Sequence, residues 1–356
     1  MRPFSPKLEG SPPNGSSVSC SRGHGTQIFG EHILTIHSSH AAPRPGLIQA
    51  LTTMEIHGVW KKLFIALALI SPNVAFAQRI AFSFDDGFDT GKEPEARQLN
   101  SALATALSRN GVKAIFFASG LRVDNETGLE LAQEWTRQGH DLANHSYSHR
   151  NFHNSSVTLA SFMEDAEKNE ALLSGLAGWK MRYRFPYLKE GDTAAKRDGA
   201  RAWLAQRGYR SGAVSIDTSD WYYDKRLREW IAKNPGRHPA AFQEPYLDHL
   251  LDRANTYAAL AKEVVGREID HVMLLHTNRI NAYFISDVIA RFRAAGWQII
   301  EPEAAYEDPV YLSAPDVLPA GESLVWSLAK QAGKHGLRYP AEDGVYEEAK
   351  LDELGL

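Results

Sequence analysis

Cysteine is nearly absent: Cys20 is the single one in 356 residues. One thiol cannot build a disulfide framework or a cysteine-based metal site. Long apolar runs are lacking too. The best, Leu63 to Ile70, falls well short of the roughly 20 residues that cross a bilayer as a helix. Nor is there an excess of positive charge, with 39 Lys and Arg against 43 Asp and Glu and a net charge of −4. That balance excludes the electrostatic footprint of a nucleic-acid or anionic-membrane binder. What is present, 43% hydrophobic and 23% charged residues, is the composition of a soluble globular chain able to bury a large core.

The first part of the chain does not fit that picture. Residues 1–53 are rich in Ser, Pro, Gly and His without a hydrophobic period, which predicts a disordered or non-native leader. Met54 opens a second beginning, with Lys61 and Lys62 as a positive segment, an apolar run to Ile70, and Ala75-Phe76-Ala77 as a small-x-small cleavage signal. Residues 54–77 are therefore expected to be a signal peptide and Met54 the true start. The mature chain would begin at Gln78, secreted or periplasmic in a bacterium, with no stable membrane anchor after cleavage. The segment before it contains Cys20, six basic residues (Arg2, Lys7, Arg22, Arg44, Lys61, Lys62) and three acidic ones (Glu9, Glu31, Glu55). Its loss leaves no thiol nucleophile and a more acidic domain.

From Gln78 onward one pattern recurs: an amphipathic helical stretch, a Gly just past its end, then a short β-prone run. Helices over 92–109, 127–137, 194–206 and 285–295 end at Gly111, Gly139, Gly208 and Gly296, since glycine tolerates the left-handed conformation that closes a last turn. Seven strands are predicted: Ile80–Phe84, Lys113–Ala118, Asp141–Asn144, Arg182–Phe185, Arg210–Ile216, His271–Leu275 and Trp297–Ile300. Strands alternating with helices imply an α/β fold whose parallel sheet is covered on both faces. Residues 78–301 read as one barrel domain. The stretch between Trp221 and His271 reads as a helical insertion at its rim, and residues 302–356 as a C-terminal tail packed on the barrel.

Five polar clusters end the apolar runs: Ser83-Phe84-Asp85-Asp86-Gly87, His145-Ser146-Tyr147-Ser148-His149, Arg184-Phe185-Pro186-Tyr187, Asp217-Thr218-Ser219-Asp220-Trp221 and Leu274-Leu275-His276-Thr277. In an α/β barrel the C-terminal strand ends meet at one rim, where active sites are built. His145 and His149, four apart, can point the same way from one helical turn, a geometry of paired metal ligands. Asp85 and Asp86 repel each other unless a cation offsets them. With N and O ligands only, Zn²⁺ is the default, with Co²⁺, Ni²⁺ or Mn²⁺ as alternatives. Three protein ligands leave positions open for a water and a carbonyl, which is the arrangement for amide or ester hydrolysis.

In order and spacing the five clusters resemble the motifs of the polysaccharide deacetylases, carbohydrate esterase family four, also called the NodB-homology domain. The likeness runs over about residues 79–300. It implies a distorted (β/α)7 barrel and metal-dependent removal of acetyl groups from sugars. Transferred position by position, it makes Asp86, His145 and His149 the metal ligands and Asp85 the general base. One carboxylate must indeed stay off the metal to accept the water's proton. Arg184 would pair with Asp85. His276 would be the general acid, held and kept charged by Asp220. The backbone N–H of Tyr187 would help stabilise the oxyanion, a type of donor contributing roughly 3–4 kcal/mol. Trp221 and Leu275 would line an acetyl pocket, plain core being the alternative for either, with Pro186 and Tyr187 also at the substrate. Ser83 stands where the family often has Thr, and Asn278 follows Thr277; neither removes a group that the mechanism needs. His140, His153, His238 and His249 match no motif and read as structural or surface residues.

The expected activity is deacetylation of N-acetylated amino sugars of chitin or peptidoglycan, by a monomer whose partner is a carbohydrate. The same groups could cleave O-acetyl esters, as on xylan. A silent carbohydrate-binding barrel, or a metal-independent amide hydrolase, should have lost part of the Asp-His-His set, and it is intact.

Overall fold

The computed structural model describes residues 77–356. The leader and nearly all of the signal segment lie outside them. Among the described residues no helix is long and apolar enough to cross a membrane.

Seven strands form a curled parallel sheet: β1 (Arg79–Asp86), β2 (Ile115–Ala118), β3 (Asp141–Asn144), β4 (Trp179–Tyr183), β5 (Arg210–Ser211), β6 (Asp270–His276) and β7 (Gln298–Ile299). The order is β5-β4-β3-β2-β1-β6, with β7 beside the start of β1. β1 is paired on both edges, with β2 and β6, and Ile80 to Phe84 is wholly buried on both faces, Ser83 included, as a parallel strand covered on both sides should be. The edges close on each other: Ile216 bridges to Met273 of β6, and Leu274 N–H donates to the Ile216 carbonyl at 2.9 Å. This is the distorted (β/α)7 barrel.

The predicted strand Arg210–Ile216 is broken in the middle. Gly212 donates to the Tyr183 carbonyl at 2.8 Å, and a Cβ there would stand 2.6 Å from the Phe117 ring. The chain therefore leaves β4 at its tightest approach and crosses to β6.

Among the described residues nine helices surround the sheet: α1 (Ala96–Arg109), α2 (Glu126–Arg137), α3 (Leu159–Leu173), α4 (Ala194–Gln206), α5 (Asp220–Lys233), α6 (Gln243–Val265), α7 (Arg279–Ala294), α8 (Leu324–Gln331) and α9 (Val345–Glu353), with short helical turns between them. Asn125, Thr158, Thr193, Asn278 and Ser323 cap five of them by accepting a backbone N–H, which satisfies donors that a helix start leaves free. The cap at Asn278 moves the start of the predicted 285–295 helix forward to Arg279. The four predicted glycines after helix ends all adopt positive φ.

Trp135 packs on Phe84 and Phe116 with ring centroids 5.2 and 5.0 Å away, and its indole N–H donates to Asn100 at 2.9 Å. The segment between Trp221 and His271 is helical, but α5 and α6 belong to the layer around the sheet, because α6 packs between α7 and α8. In the C-terminal segment, Ala320–Gly321 pairs antiparallel with Lys189–Gly191, and α8 and α9 follow. A cavity of about 530 Å³ separates β4 and α4 from residues 306–315. It is larger than the groove at the strand ends, but Arg184 is the one predicted site residue on its wall.

Candidate active site

All five clusters lie at the C-terminal side of the sheet. Asp85 and Asp86 end β1, His145 follows β3, Arg184 follows β4, Asp217 follows the bridge at Ile216, and His276 ends β6. Donor atoms of Asp86, His145 and His149 all lie within 4.8 Å of one another. The two histidines do not share a helical turn, as their spacing suggested. They flank a loop in which Ser146 and His149 have φ of 64° and 51°, and it is this loop that turns the rings together, centroids 5.0 Å apart.

These three residues fit a divalent cation. Asp86 Oδ1 is buried, 2.9 Å from His149 Nε2 and 3.5 Å from His145 Nε2, yet meets no aligned hydrogen bond. His145 Nδ1 lies 3.0 Å from the Arg184 carbonyl. A carbonyl can only accept, so Nδ1 carries the proton and Nε2 offers its lone pair toward Asp86. Burial lowers the His145 pKa to about 4, which keeps the ring neutral as a ligand must be. Burial alone would raise the Asp86 carboxyl, but His149, with smaller effects of His276 and His145, holds it well below the usual range.

Asp85 is 2% exposed and is gripped by Arg184 Nη1 at 2.5 Å. The guanidinium is spoken for on every side. Nε donates to the Gly212 carbonyl at 2.7 Å, Nη2 to Ser83 Oγ at 2.9 Å and to Tyr306 Oη at 3.2 Å, and its face lies 3.9 Å from the Phe117 ring centre. It therefore has one orientation, and so has Asp85. Ser83 relays that restraint by donating to the Met273 carbonyl at 2.7 Å.

His276 Nδ1 meets Asp220 Oδ1 at 2.7 Å. Oδ2 of Asp220 accepts from His276 N–H at 2.8 Å and from the Asn278 and Asn281 amides at 2.9 Å each. Burial opposes charge on His276, yet Asp220, then Asp86 and Asp85, push its pKa up to about 10. The imidazolium is thus available to give up a proton at neutral pH.

The sequence profile of the polysaccharide deacetylases matches residues 75–203. Over this stretch, a little over a third of its length, the chain is similar to the polysaccharide deacetylases. A peptidoglycan-N-acetylglucosamine deacetylase of Bacillus cereus is 28% identical over 143 residues, 40% of this chain and 46% of that protein. The chain thus spans under half the length of that curated relative. Among solved structures, a family 4 carbohydrate esterase of Streptomyces lividans in complex with acetate is 21% identical, over 64% of this chain and 95% of that one, with a TM-score of 0.42. The catalytic domain of a peptidoglycan N-acetylglucosamine deacetylase from Eubacterium rectale is 18% identical, over 63% and 88%, with a TM-score of 0.41. The profile match includes Asp85, Asp86, His145, His149, Arg184 and Tyr187 and stops before Asp220, Trp221 and His276.

A groove of about 320 Å³ opens beside Asp86 and His276, walled by Trp221, Phe88, Arg122 and Arg228. Trp221 and Tyr187 are 43% and 57% exposed at the site. Tyr187, at φ 56°, lies over His149 with ring centroids 4.7 Å apart. Two expected substrate contacts fall elsewhere. Leu275 has no accessible surface and belongs to the core, because strand neighbours point to opposite faces and His276 takes the site face. Pro186 is buried and borders a small void behind the histidine loop.

Six non-glycine residues among those described have positive φ, and five of them, Asp86, Ser146, His149, Tyr187 and Leu188, lie here. Such conformations cost roughly 1–3 kcal/mol each and persist where surroundings over-determine them. The restraints come from residues to which motif reasoning gave no role. Asp165 on α3 accepts from Tyr147 N–H at 2.8 Å and from Ser148 N–H at 3.1 Å. Asn144 accepts from Ser146 N–H at 2.9 Å and is itself held by Asn169. Thr277 Oγ1 accepts from Gly87 N–H at 2.7 Å and donates to the Asp85 carbonyl. Asn278 earns its place twice, as cap of α7 and donor to Asp220. The unassigned histidines stay outside the site: His140 and His249 are buried, His153 bonds the Ala320 carbonyl, and His238 lies against Tyr283.

Proposed function

We propose that this chain is an exported, metal-dependent deacetylase that hydrolyses N-acetyl groups of amino sugars in chitin or peptidoglycan. One observation carries the reading: the Asp86-His145-His149 cluster sits at the same strand ends as an Arg-held carboxylate and an Asp-held imidazolium. The activity for which the Bacillus cereus relative is named supports the choice of sugar, and Lys61-Lys62 with the following apolar run supports export.

In this reading Asp86, His145 and His149 hold the ion, Zn²⁺ by donor type. A divalent cation there supplies Lewis acidity toward a water and toward the acyl oxygen. Asp85, fixed by Arg184, takes the proton of the attacking water. The Tyr187 N–H donates to the oxygen that becomes negative in the tetrahedral state. His276 then gives its proton to the departing sugar nitrogen, because an amine leaves only when protonated, and Asp220 stabilises the charge His276 carries beforehand. Trp221 walls the groove around the acetyl group.

The test is acetate release by the purified protein from chitooligosaccharides, peptidoglycan and acetylated xylan, before and after chelation and with Zn²⁺, Co²⁺, Ni²⁺ or Mn²⁺ restored. Release from the first two, lost on chelation and regained with metal, is expected. Release unaffected by chelation would overturn the mechanism. Release from xylan alone would make the chain an O-acetyl esterase, and none from any substrate a silent binder. Export is checked separately, by whether the protein outside the cell begins near Gln78.

A further inference from the structure

The C-terminal segment reaches the acid side of the site from behind. Asp220 is the first residue of α5, and its carboxylate is held from the front by His276, Asn278 and Asn281. The residue before it, Ser219, is buried and is held from the back. Ser219 N–H donates to His249 Nε2 at 3.3 Å, and Ser219 Oγ donates to Glu342 Oε2 at 3.3 Å. His249 can accept at Nε2 only when its proton sits on Nδ1, and Nδ1 lies 3.2 Å from Glu347 Oε2. That carboxylate also accepts from Tyr223 Oη at 3.3 Å, and the Tyr223 ring lies on His249 with centroids 4.7 Å apart.

We infer that Glu347 of α9 is a positioning residue for the His276 acid, acting through the His249 tautomer and Ser219 on Asp220. A buried hydrogen-bonded chain of this kind has one satisfied arrangement, and an unmade bond in it is costly. Ser219 lacks a side-chain cap bond of its own to α5, so the start of that helix takes its place from the tail. None of Ser219, His249, Glu342 or Glu347 lies in residues 75–203, and the groove touches none of them.

The inference rests on His276 being the acid, and leaving groups separate the two claims. The full chain, Glu347→Ala, Glu347→Gln and His276→Asn are compared on a chitooligosaccharide amide and on 4-nitrophenyl acetate, whose phenolate departs without protonation. Glu347→Ala is expected to lose roughly tenfold in kcat on the amide, part of the 10²–10⁴ that acid–base catalysis supplies. Its KM and its rate on the nitrophenyl ester should hold within about twofold, and Glu347→Gln, which keeps an acceptor, should restore the amide rate. The Nδ1–H proton resonance of His276 should shift in Glu347→Ala alone. Equal losses on both substrates, or no loss in a folded Glu347→Ala, would overturn the role of the tail. Should Glu347→Ala not fold, Glu342→Ala, which removes the acceptor of the Ser219 hydroxyl, carries the same comparison, and equal losses there overturn the inference too. Should His276→Asn itself spare the amide, the acid assignment is what has failed.

Discussion

Asp85 and His276 are register partners on adjacent parallel strands. Neighbours in a parallel pair direct their side chains to the same face, so two titratable groups 191 positions apart in sequence leave the sheet side by side. One is held by a cation, Arg184, and the other by an anion, Asp220. Opposite partners on otherwise adjacent groups set one up to accept a proton and the other to donate one.

Removing either group should therefore stop turnover without emptying the metal centre. Asp85→Asn and His276→Asn are each expected to lower kcat by about 10²–10⁴ on an amide substrate, while metal content stays at the level of the unaltered chain. Steady-state kinetics with metal analysis of the same samples checks this. A loss of metal in either variant would mean that the residue is a ligand.

The raised pKa of His276 has a sign that stability can read. Its value in the folded protein, about 10, lies above the ordinary 6.5. The charged ring therefore stabilises the fold fully below pH 6.5, and that contribution is lost as pH rises through about 10. In the metal-free protein, whose charges are those described, thermal stability should fall over this window. The fall should shrink in His276→Gln, and Asp220→Asn should confine it to lower pH, since Asp220 is the main charge raising the ring. A melting series in chelator from pH 6 to 10.5 checks it, and identical slopes in all three proteins would refute it.

Asp165 should govern metal retention from a distance. It touches no ligand atom, but it holds two of the three amides between His145 and His149, and partners that orient metal ligands typically change affinity about 10–100-fold when removed. Asp165→Ala is expected to lose affinity on that scale, and Asp165→Asn, which keeps one acceptor oxygen, to lose less. Competition with a chromogenic chelator measures both. Affinity unchanged in Asp165→Ala would show that the loop holds its left-handed turns unaided.

Legibility in the sequence follows the range of the interaction. Gly111, Gly139, Gly208 and Gly296 were readable because a helix end is decided within a few residues. The five clusters were readable because catalytic side chains must be particular types. The supporting roles of Asp165, Thr277 and His249 were not, because what they bind is a backbone N–H or carbonyl, which every residue offers and no motif marks. The histidine pair was seen, but its loop was not, since a spacing of four suits a helical turn and a left-handed turn alike. Leu275 stood open between pocket and core although a rule already available decides it, for the parity of β6 sends it away from His276. At Gly212 the break in the predicted strand depends on how closely Phe117 approaches, a long-range fact.

Ser83 offers the sharpest test of how the base is supported. It is wholly buried, donates to the Met273 carbonyl and accepts from Arg184 Nη2. Ser83→Ala strands both partners in the interior, where an unmet polar group costs about 1–3 kcal/mol. Ser83→Thr keeps the hydroxyl and with it both bonds. Urea unfolding should show Ser83→Ala with a lower midpoint and an unchanged slope, and Ser83→Thr with a midpoint above it. The kinetics should follow, because Arg184 freed on one side no longer fixes Asp85: kcat should fall in the alanine variant and KM should stay. A Ser83→Ala chain as stable and as fast as the original would mean that Gly212, Tyr306 and Phe117 hold the guanidinium without it.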